Sequence, residues 1–356
     1  MISLNTRLCK LFHIDYPIVQ AGMAGGPTTV ALVSSVSEAG GMGTLGAAYM
    51  KPEELRKAIE EIKNLTDKPF GVNIFTAHME DDFTRLEEVQ QALNPFRSEL
   101  GIKEVQSSYA SPDWSSEQFN LCIELEVPVI STAFGCLNES QMKEAKRKGA
   151  KVITMVTTVA EAQAAERAGV DAVVAQGSEA GGHRGTFSLA KHSQGAQIGI
   201  MSLVPQIVDA VTVPVIAAGG IGDGRGLAAS LALGASGVQV GTRFLTARES
   251  GAHRVYKEAI FNSNEESTVI TKSFSGRPAR GIKNLFIEEF EKTGTIPLPF
   301  PSQNTITKDI RGQAAQKGDS RFMSLWAGQN TRLLKKEERA EEIIQLIMEE
   351  AKDIFS

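Results

Sequence analysis

Short apolar runs rich in β-branched residues recur along the first two thirds of the chain, and most of them end at a glycine or another small residue. Runs of this length and composition are typical of buried β-strands. The pattern predicts eight strands, at residues 16–22, 41–46, 69–75, 127–135, 151–156, 172–177, 214–220 and 237–244.

Segments with helical periodicity follow most of these strands. Residues 52–64 have a proline near the start and their apolar side chains on one face, and residues 159–168 end at Gly169. Alternating strands and helices indicate parallel β/α units, so eight units predict an α/β fold of the (β/α)8 TIM-barrel type. A doubly wound sheet is the alternative, because a strand count alone does not prove that the sheet closes.

Residues 41–46 (GMGTLG) match the dinucleotide-binding fingerprint by letter. That fingerprint requires a strand before it and a helix that opens within it. Here a helical segment at 28–39 comes first, and the glycines lie inside the predicted second strand. The context therefore favours the barrel over a dinucleotide-binding sheet.

Two interruptions break the rhythm of strands and helices and set the predicted domain organisation. Residues 1–244 form the barrel, with a long insertion at about 76–126 after the third strand, and residues 245–330 form a second insertion. Insertions after barrel strands lie on the catalytic face, so both are expected to form a smaller lid or substrate-wall domain. Residues 331–356 are expected to form a C-terminal packing region, with a helix at 337–355.

The composition narrows the class of partner. The 356 residues are 42% hydrophobic and 22% charged, with a formal net charge of −5 and no long basic run. Nucleic acids and anionic membranes both require a concentrated basic patch, so a small molecule is the expected partner. No signal peptide, membrane span or metal-binding cysteine pattern is visible, which predicts a cytoplasmic protein without a metal. A homodimer is a candidate assembly.

Glycine-containing loops follow the last two predicted strands, where barrels often bind a phosphate group. Bare backbone N–H groups and a hydroxyl suit a phosphate dianion. The candidate residues are Gly219 and Gly220 after the seventh strand, and Gln239, Val240, Gly241 and Thr242 at the end of the eighth.

Amide side chains stand at the ends of three other strands. Gln20, Asn73 and Gln176 can each donate and accept hydrogen bonds, as the pyrimidine edge of a flavin requires. The loop after the first strand adds backbone groups that could pack against the ring system; its residues are Ala21, Gly22 and Met23. FMN fits better than FAD, because no second nucleotide-binding element is visible.

One histidine lies within a glycine cluster directly after the sixth strand. His183 is flanked by Gly181, Gly182 and Gly185. The glycine backbone can approach a flat ligand closely, and a neutral imidazole beside it can accept a proton. His183 is therefore the candidate catalytic residue.

Taken together, these segments resemble the flavin-dependent nitronate monooxygenases, formerly called 2-nitropropane dioxygenases, over nearly the whole chain. The matching segments are 17–26 (PIVQAGMAGG), 71–73 (GVN), 176–185 (QGSEAGGHRG), 217–220 (AAGG), 239–242 (QVGT), 274–281 (FSGRPARG) and 324–329 (SLWAGQ). The last two are specific to the nitronate group.

The resemblance implies a TIM barrel that binds FMN, with the phosphate at Gly219, Gly220 and residues 239–242. The ring would lie near Met23, Asn73, Gln176 and Gly181, with His183 facing the substrate. In such enzymes an alkyl nitronate gives an electron to the flavin, dioxygen takes it up, and a carbonyl compound and nitrite result. With a neutral nitroalkane His183 would first remove the α-proton; with a preformed nitronate it need only orient or stabilise the anion.

Other residues bear on the choice of substrate. Arg277 and Arg280 could meet a substrate carboxylate, such as that of propionate-3-nitronate, or could be solvated, and His78 could reach the barrel mouth. Residues 296–304 contain no tyrosine, where some relatives are expected to place aromatic hydroxyls against the substrate.

Two other functions remain open. The flavin-dependent enoyl-acyl-carrier-protein reductases share the barrel, the FMN loops and the core of the His183 segment, but take hydride from a nicotinamide cofactor. The segments at 274–281 and 324–329 disfavour this reading. A flavin-binding barrel without turnover is the second alternative.

Overall fold

The computed structural model describes residues 4–77, 79–103 and 108–356. Within these residues the strands are short and mostly buried. They are β1 (Ile18–Gln20), β2 (Gly43–Gly46), β3 (Phe70–Phe75), β4 (Val129–Ala133), β5 (Lys151–Val156), β6 (Ala172–Gln176), β7 (Gly182–His183), β8 (Val215–Ala218), β9 (Gly237–Val240), β10 (Thr268–Thr271) and β11 (Ala279–Ile282).

Helices separate the strands and dominate the last third of the chain. They are α1 (Arg7–Phe12), α2 (Val30–Glu38), α3 (Pro52–Leu65), α4 (Leu86–Leu100), α5 (Ser115–Glu124), α6 (Glu139–Arg147), α7 (Val159–Ala168), α8 (Ile200–Ala210), α9 (Gly224–Ala232), α10 (Thr242–Leu245), α11 (Arg254–Phe261), α12 (Leu285–Lys292), α13 (Ser302–Ile306), α14 (Lys308–Lys317) and α15 (Ala340–Phe355), with a 3-10 turn at Thr331–Leu333.

Eight of the described strands form one parallel sheet, in the order β1-β9-β8-β6-β5-β4-β3-β2. A parallel bridge between Val19 and Met42 joins the two ends, where the Gln20 N–H donates to the Met42 carbonyl and the Met42 N–H donates to that of Ile18, both at 2.9 Å. The predicted (β/α)8 TIM barrel is confirmed, and the doubly wound alternative is wrong.

The eighth barrel strand is shorter than predicted. It ends at Val240, and residues 242–244, assigned above to the strand, instead belong to α10. The Phe244 and Leu245 N–H groups both donate to the Gly241 carbonyl, which closes the helical turn. A single apolar helical turn cannot be distinguished by periodicity from the end of a buried strand.

The glycines of the 41–46 segment allow a helix to pack closely on the sheet. A Cβ atom added to Gly43 would lie 2.1 Å from the Val33 carbonyl oxygen, on α2, and one added to Gly41 would lie 2.9 Å from that of Ile18. The fingerprint-like sequence therefore reflects packing of α2 on β2, which is consistent with rejecting the dinucleotide reading.

A second hydrophobic core lies outside the barrel. It unites α4 with α11, α12, α13 and α14, so parts of both insertions pack together, whereas α5 packs against the barrel as the crossover helix between β3 and β4. The buried Arg97 of α4 crosses this core, since its Nε pairs with the Asp309 carboxylate at 2.7 Å and it also donates to the Ile306 carbonyl at 2.9 Å.

The last helix packs against the outside of the barrel. α15 packs on α9 and α2, and it begins three residues later than predicted, after the buried Glu338, which pairs with Arg243. Among the residues that the structure describes, no helix is long and apolar enough to cross a membrane.

Candidate functional site

The loop after β1 lies against the ends of β3 and β9. A Cβ on Gly22 would lie 2.6 Å from the Asn73 Cβ, and one on Gly241 would lie 3.7 Å from the Ala21 Cβ and 3.9 Å from the Met23 sulfur. The structure thus brings together the predicted residues of three loops at one edge of the barrel mouth. Gly22 has no room for a side chain there.

The loop after β6 meets the loop after β8 and the segment at 324–329. A Cβ on Gly219 would lie 3.0 Å from the Ala180 nitrogen, and one on Gly181 would lie 2.5 Å from the Gly328 nitrogen. The Gly328 N–H donates to the Thr242 hydroxyl at 3.0 Å. The predicted phosphate loops are therefore neighbours, and the 324–329 segment connects them. Gly220 follows Gly219 in the same loop, with φ of 68°.

An unpartnered amide beside these loops provides a test of whether they fit a phosphate group. The Nδ2 of Asn330 is buried and has no hydrogen-bond partner among the described residues. A Cβ on Gly222, in the loop after β8, would lie 2.5 Å from that nitrogen. A buried donor without an acceptor is costly, so an anion at this loop would satisfy it. The donor set therefore fits a phosphate, and sequence analysis missed Asn330.

Two of the predicted amide side chains are hydrogen-bonded to backbone. Gln20 accepts from the Thr44 N–H at 3.0 Å and donates to its carbonyl at 3.2 Å. Gln176 donates to the His183 carbonyl at 2.9 Å and accepts from the Gly185 N–H at 2.8 Å. Both therefore hold neighbouring backbone segments in place. Asn73 donates to the Ser131 hydroxyl at 3.1 Å.

His183 is held by a small antiparallel sheet that links the barrel to the second insertion. It lies on β7 opposite Ala279 of β11, and Gly182 lies opposite Arg280. The His183 Nε2 is 2.9 Å from the Ser275 Oγ, and Ser275 also donates to the Arg277 carbonyl at 3.0 Å. The 274–281 segment therefore fixes the imidazole.

Aromatic rings surround this imidazole. Ring centroids lie 5.4 Å from His183 for Trp326, 6.0 Å for Phe134 and 6.2 Å for Phe300. Phe134 has a φ of 74°, a conformation that residues with a Cβ rarely adopt and that is often found at functional sites.

The surroundings keep His183 neutral. Burial, followed by the charges of Arg277 and Arg311, lowers the pKa of His183 to about 3. His183 as a whole is partly exposed. At neutral pH the imidazole can donate or accept a hydrogen bond, but it is a weak base.

The two arginines of the 274–281 segment differ in their surroundings. Arg280 donates from Nε to the Ser178 carbonyl at 2.9 Å and from Nη1 to the Thr268 hydroxyl at 3.1 Å, which makes it a link between loops. Arg277 lies with its Cζ 3.9 Å above the centre of the Phe134 ring, and its buried Nε has no partner among the described residues. His78 lies outside those residues.

Several residues of the site could not be found from sequence alone. Ser275 and Trp326 lie in the segments 274–281 and 324–329, but neither residue type on its own indicates a role in the site. In the sequence Phe134 and Phe300 cannot be distinguished from other apolar residues, and Arg311 lies outside every recognisable motif. Their positions depend on how the second insertion folds over the mouth.

Known proteins resemble this chain in sequence and in fold. A family model described as nitronate monooxygenase matches residues 5–350. A probable nitronate monooxygenase of Staphylococcus aureus (strain MRSA252) is 47% identical over 331 residues, which are 92% of each chain. The structure of a nitroalkane oxidase from Streptomyces ansochromogenes is 36% identical with a TM-score of 0.90, covering 97% of this chain and 98% of the other. The structure of FabK from Thermotoga maritima is 35% identical with a TM-score of 0.78, covering 99% of this chain and 98% of that chain.

Proposed function

Because the chain belongs to the nitronate monooxygenase family and is an oxidoreductase, we propose that it oxidises alkyl nitronates such as propionate-3-nitronate with dioxygen, using bound FMN. The products are a carbonyl compound and nitrite. The observation that carries this proposal is a neutral imidazole beside Arg277, whose Nε has no partner among the residues that the structure describes. A nitronate is an anion that needs both hydrogen bonds and a positive charge.

The loops at the barrel mouth would hold the cofactor. Asn330 and the backbone of Gly219, Gly220 and Thr242 would bind its phosphate, and the loop from Ala21 to Met23 would pack against its ring. When bound, FMN supplies the electron acceptor for the nitronate and the route for electrons to dioxygen. FMN is preferred over FAD because the sequence shows no second nucleotide-binding element.

Arg277 would stabilise the anionic nitro group. Burial lowers its pKa to about 10, with the charge of Glu161 acting against it, so the guanidinium stays charged at neutral pH. No ion pair with a carboxylate is formed by Arg277 among the described residues, and its Nε has no partner there. A buried charge outside an ion pair is unfavourable, and a bound nitronate would lower that cost. Arg277 would also favour the ionised form of a nitroalkane in the cleft.

Ser275 would set the tautomer of His183. The single hydroxyl proton of Ser275 is used on the Arg277 carbonyl, so its oxygen accepts from the imidazole Nε2–H. Nδ1 is then the free acceptor for a substrate proton. With a preformed nitronate no proton need be removed, and the low pKa of His183 favours that substrate.

The decisive experiment mixes the flavin-loaded protein anaerobically with propionate-3-nitronate while the flavin spectrum is followed. Oxygen is then admitted and nitrite is measured. Bleaching followed by nitrite release supports the proposal. An unchanged spectrum that bleaches instead with NADH or NADPH, together with reduction of a crotonyl thioester, would assign the enoyl reductase function. A yellow protein inert to both would be a barrel without turnover. Mass spectrometry of the released cofactor distinguishes FMN from FAD.

A further inference from the structure

The peptide group between Thr186 and Phe187 lies between a guanidinium and a carboxylate. Its carbonyl, on Thr186, accepts a hydrogen bond from Nη2 of Arg277. Its N–H, on Phe187, donates to Oε1 of Glu161 at 2.8 Å. A peptide dipole is negative at the carbonyl and positive at the N–H, so each charged side chain meets the end of opposite sign. Glu161 is therefore joined to Arg277 through one peptide group.

Three hydrogen bonds fix the carboxylate of Glu161. The residue lies in the first turn of α7, and its Oε2 accepts from the N–H of Thr157 at 2.7 Å and from the Thr157 hydroxyl at 2.8 Å. The Phe187 N–H is the third donor. Thr157 directly follows β5, so the carboxylate is attached to the end of a barrel strand.

A chain of hydroxyl groups joins the same residues by a second route. The single hydroxyl proton of Thr157 is used on Glu161, so its oxygen accepts from the Thr186 hydroxyl, with 2.8 Å between the oxygens. The Thr186 oxygen accepts in turn from the Ala196 N–H at 3.0 Å. Both threonines are buried. Every donor in this chain points toward Glu161, which suits a negative charge at its end.

The bridge fixes one part of the Arg277 side chain and leaves another part without a protein acceptor. The guanidinium lies over the Phe134 ring, and its buried Nε has no partner among the residues that the structure describes. A carboxylate in direct contact would use the donors that an anionic substrate requires. A carboxylate that acts through a peptide group supports the positive charge and leaves those donors available.

We propose that Glu161 is a positioning residue, which acts through the peptide group between Thr186 and Phe187 to orient the Arg277 guanidinium toward the nitro group of the substrate. The inference rests on the proposed function. Glu161 itself does not touch the substrate. Its removal should therefore matter only while Arg277 is present.

The test combines Glu161→Gln with Arg277→Met in the flavin-loaded enzyme. The substrate is propyl-1-nitronate, whose only charge is on the nitro group. In the wild-type background Glu161→Gln should lower kcat/KM roughly tenfold, mainly through KM, because a displaced guanidinium binds the anion less well. In the Arg277→Met background the same change should alter kcat/KM by less than about twofold. Equal factors in both backgrounds would mean that Glu161 only supports the loop.

Urea unfolding of the same variants gives a readout that needs no turnover. Glu161→Gln should lower the urea midpoint in the wild-type background, because a buried guanidinium loses the carboxylate that supports it. The shift should be smaller in the Arg277→Met background. Shifts that simply add would overturn the bridge between the two side chains.

Glu166→Gln is the matched control. Glu166 lies on the same helix and accepts from the N–H of Thr212 at 2.6 Å and from the Thr212 hydroxyl at 2.7 Å. The substitution therefore removes the same kinds of hydrogen bond, but from the segment before β8. It should leave kcat/KM unchanged. A loss as large as that of Glu161→Gln would show that any carboxylate of α7 has this effect, and the positioning role would be wrong.

The outcomes separate this inference from the function on which it rests. If the wild-type enzyme oxidises nitronates but the effect of Glu161→Gln does not depend on Arg277, only the positioning role is wrong. If no nitronate reduces the flavin of the wild-type enzyme, the proposed function fails, and the role of Glu161 toward the substrate fails with it. The unfolding measurements then still decide whether Glu161 and Arg277 are coupled.

Discussion

The side chain of Gln176 holds the backbone on both sides of Arg184, donating to the carbonyl of His183 and accepting from the N–H of Gly185. The catalytic candidate is thereby attached to the end of a barrel strand. The loop that carries His183 is ordered by the strand that precedes it.

We expect Gln176→Leu to destabilise the protein by about 2–4 kcal/mol, because two buried backbone groups lose their partners. Urea unfolding measures the change. Gln197→Leu is the control, since Gln197 is exposed and bonds only within its own turn; it should change the free energy of unfolding little. Equal effects of the two substitutions would contradict the anchoring role.

Ser275→Ala should alter the tautomer of His183. Without the hydroxyl acceptor the imidazole loses its preference for a proton on Nε2, and we expect turnover of neutral nitroalkanes to fall by roughly tenfold, more than turnover of preformed nitronates. Ser273→Ala is the control, because the Ser273 hydroxyl bonds to Thr271 and not to the imidazole. Nitrogen NMR of labelled histidine reads the tautomer directly, and an unchanged His183 signal would refute the assignment.

The pH dependence follows from the lowered pKa of His183. The unfolded chain binds a proton at this residue near pH 6.5, whereas the folded protein binds it only near pH 3. Stability from this group is therefore fully present above about pH 6.5 and falls as the pH drops toward 3. Between pH 7 and pH 4.5 we expect the free energy of unfolding to fall less in the His183→Gln variant than in the wild type. Denaturant unfolding at the two pH values measures it. A parallel loss in both proteins would show that His183 is not desolvated.

Catalysis should show the same low pKa. Oxidation of a preformed nitronate should have no inflection from His183 between pH 5 and 8, because the imidazole is neutral throughout that range. The measurement is the pH profile of kcat/KM for propyl-1-nitronate. An inflection near pH 6.5 that His183→Gln abolishes would contradict the low value.

Asn330→Asp should weaken cofactor binding. The change replaces a buried donor by a carboxylate beside the loop that is proposed to hold the phosphate, so we expect the Kd for FMN to rise roughly 10- to 100-fold. Equilibrium dialysis with flavin fluorescence gives the Kd. Asn262→Asp adds the same charge at an exposed helix end and should have little effect. If both variants bind FMN as the wild type does, the phosphate lies elsewhere.

The barrel could be predicted from sequence because each strand is a short apolar run and each helix has its own periodicity. The eighth strand was extended too far, since the turn of α10 is also apolar. The glycines of the mouth were found because close backbone approach requires that residue type, as at Gly181 against Gly328. These are local properties of the chain.

The side-chain partners could not be predicted in the same way. The amide of Gln20 suited a flavin by its chemistry, yet its bonds go to Thr44 on the adjacent strand. His183 and Ser275 are 92 positions apart in sequence, and only the folded second insertion brings the Ser275 hydroxyl to the imidazole. A pattern of residue types does not specify such distant pairings.

The contact between Arg97 and Asp309 also bears on how the chain folds during its synthesis. The two residues are 212 positions apart. At a synthesis rate of about 5–20 residues per second, Asp309 is synthesised roughly 10 to 40 s after Arg97. During that interval the helices of the second insertion that cover the apolar face of α4 are not all present. We expect the nascent chain to be most dependent on chaperones in this window, after the first insertion has emerged and before the second is complete.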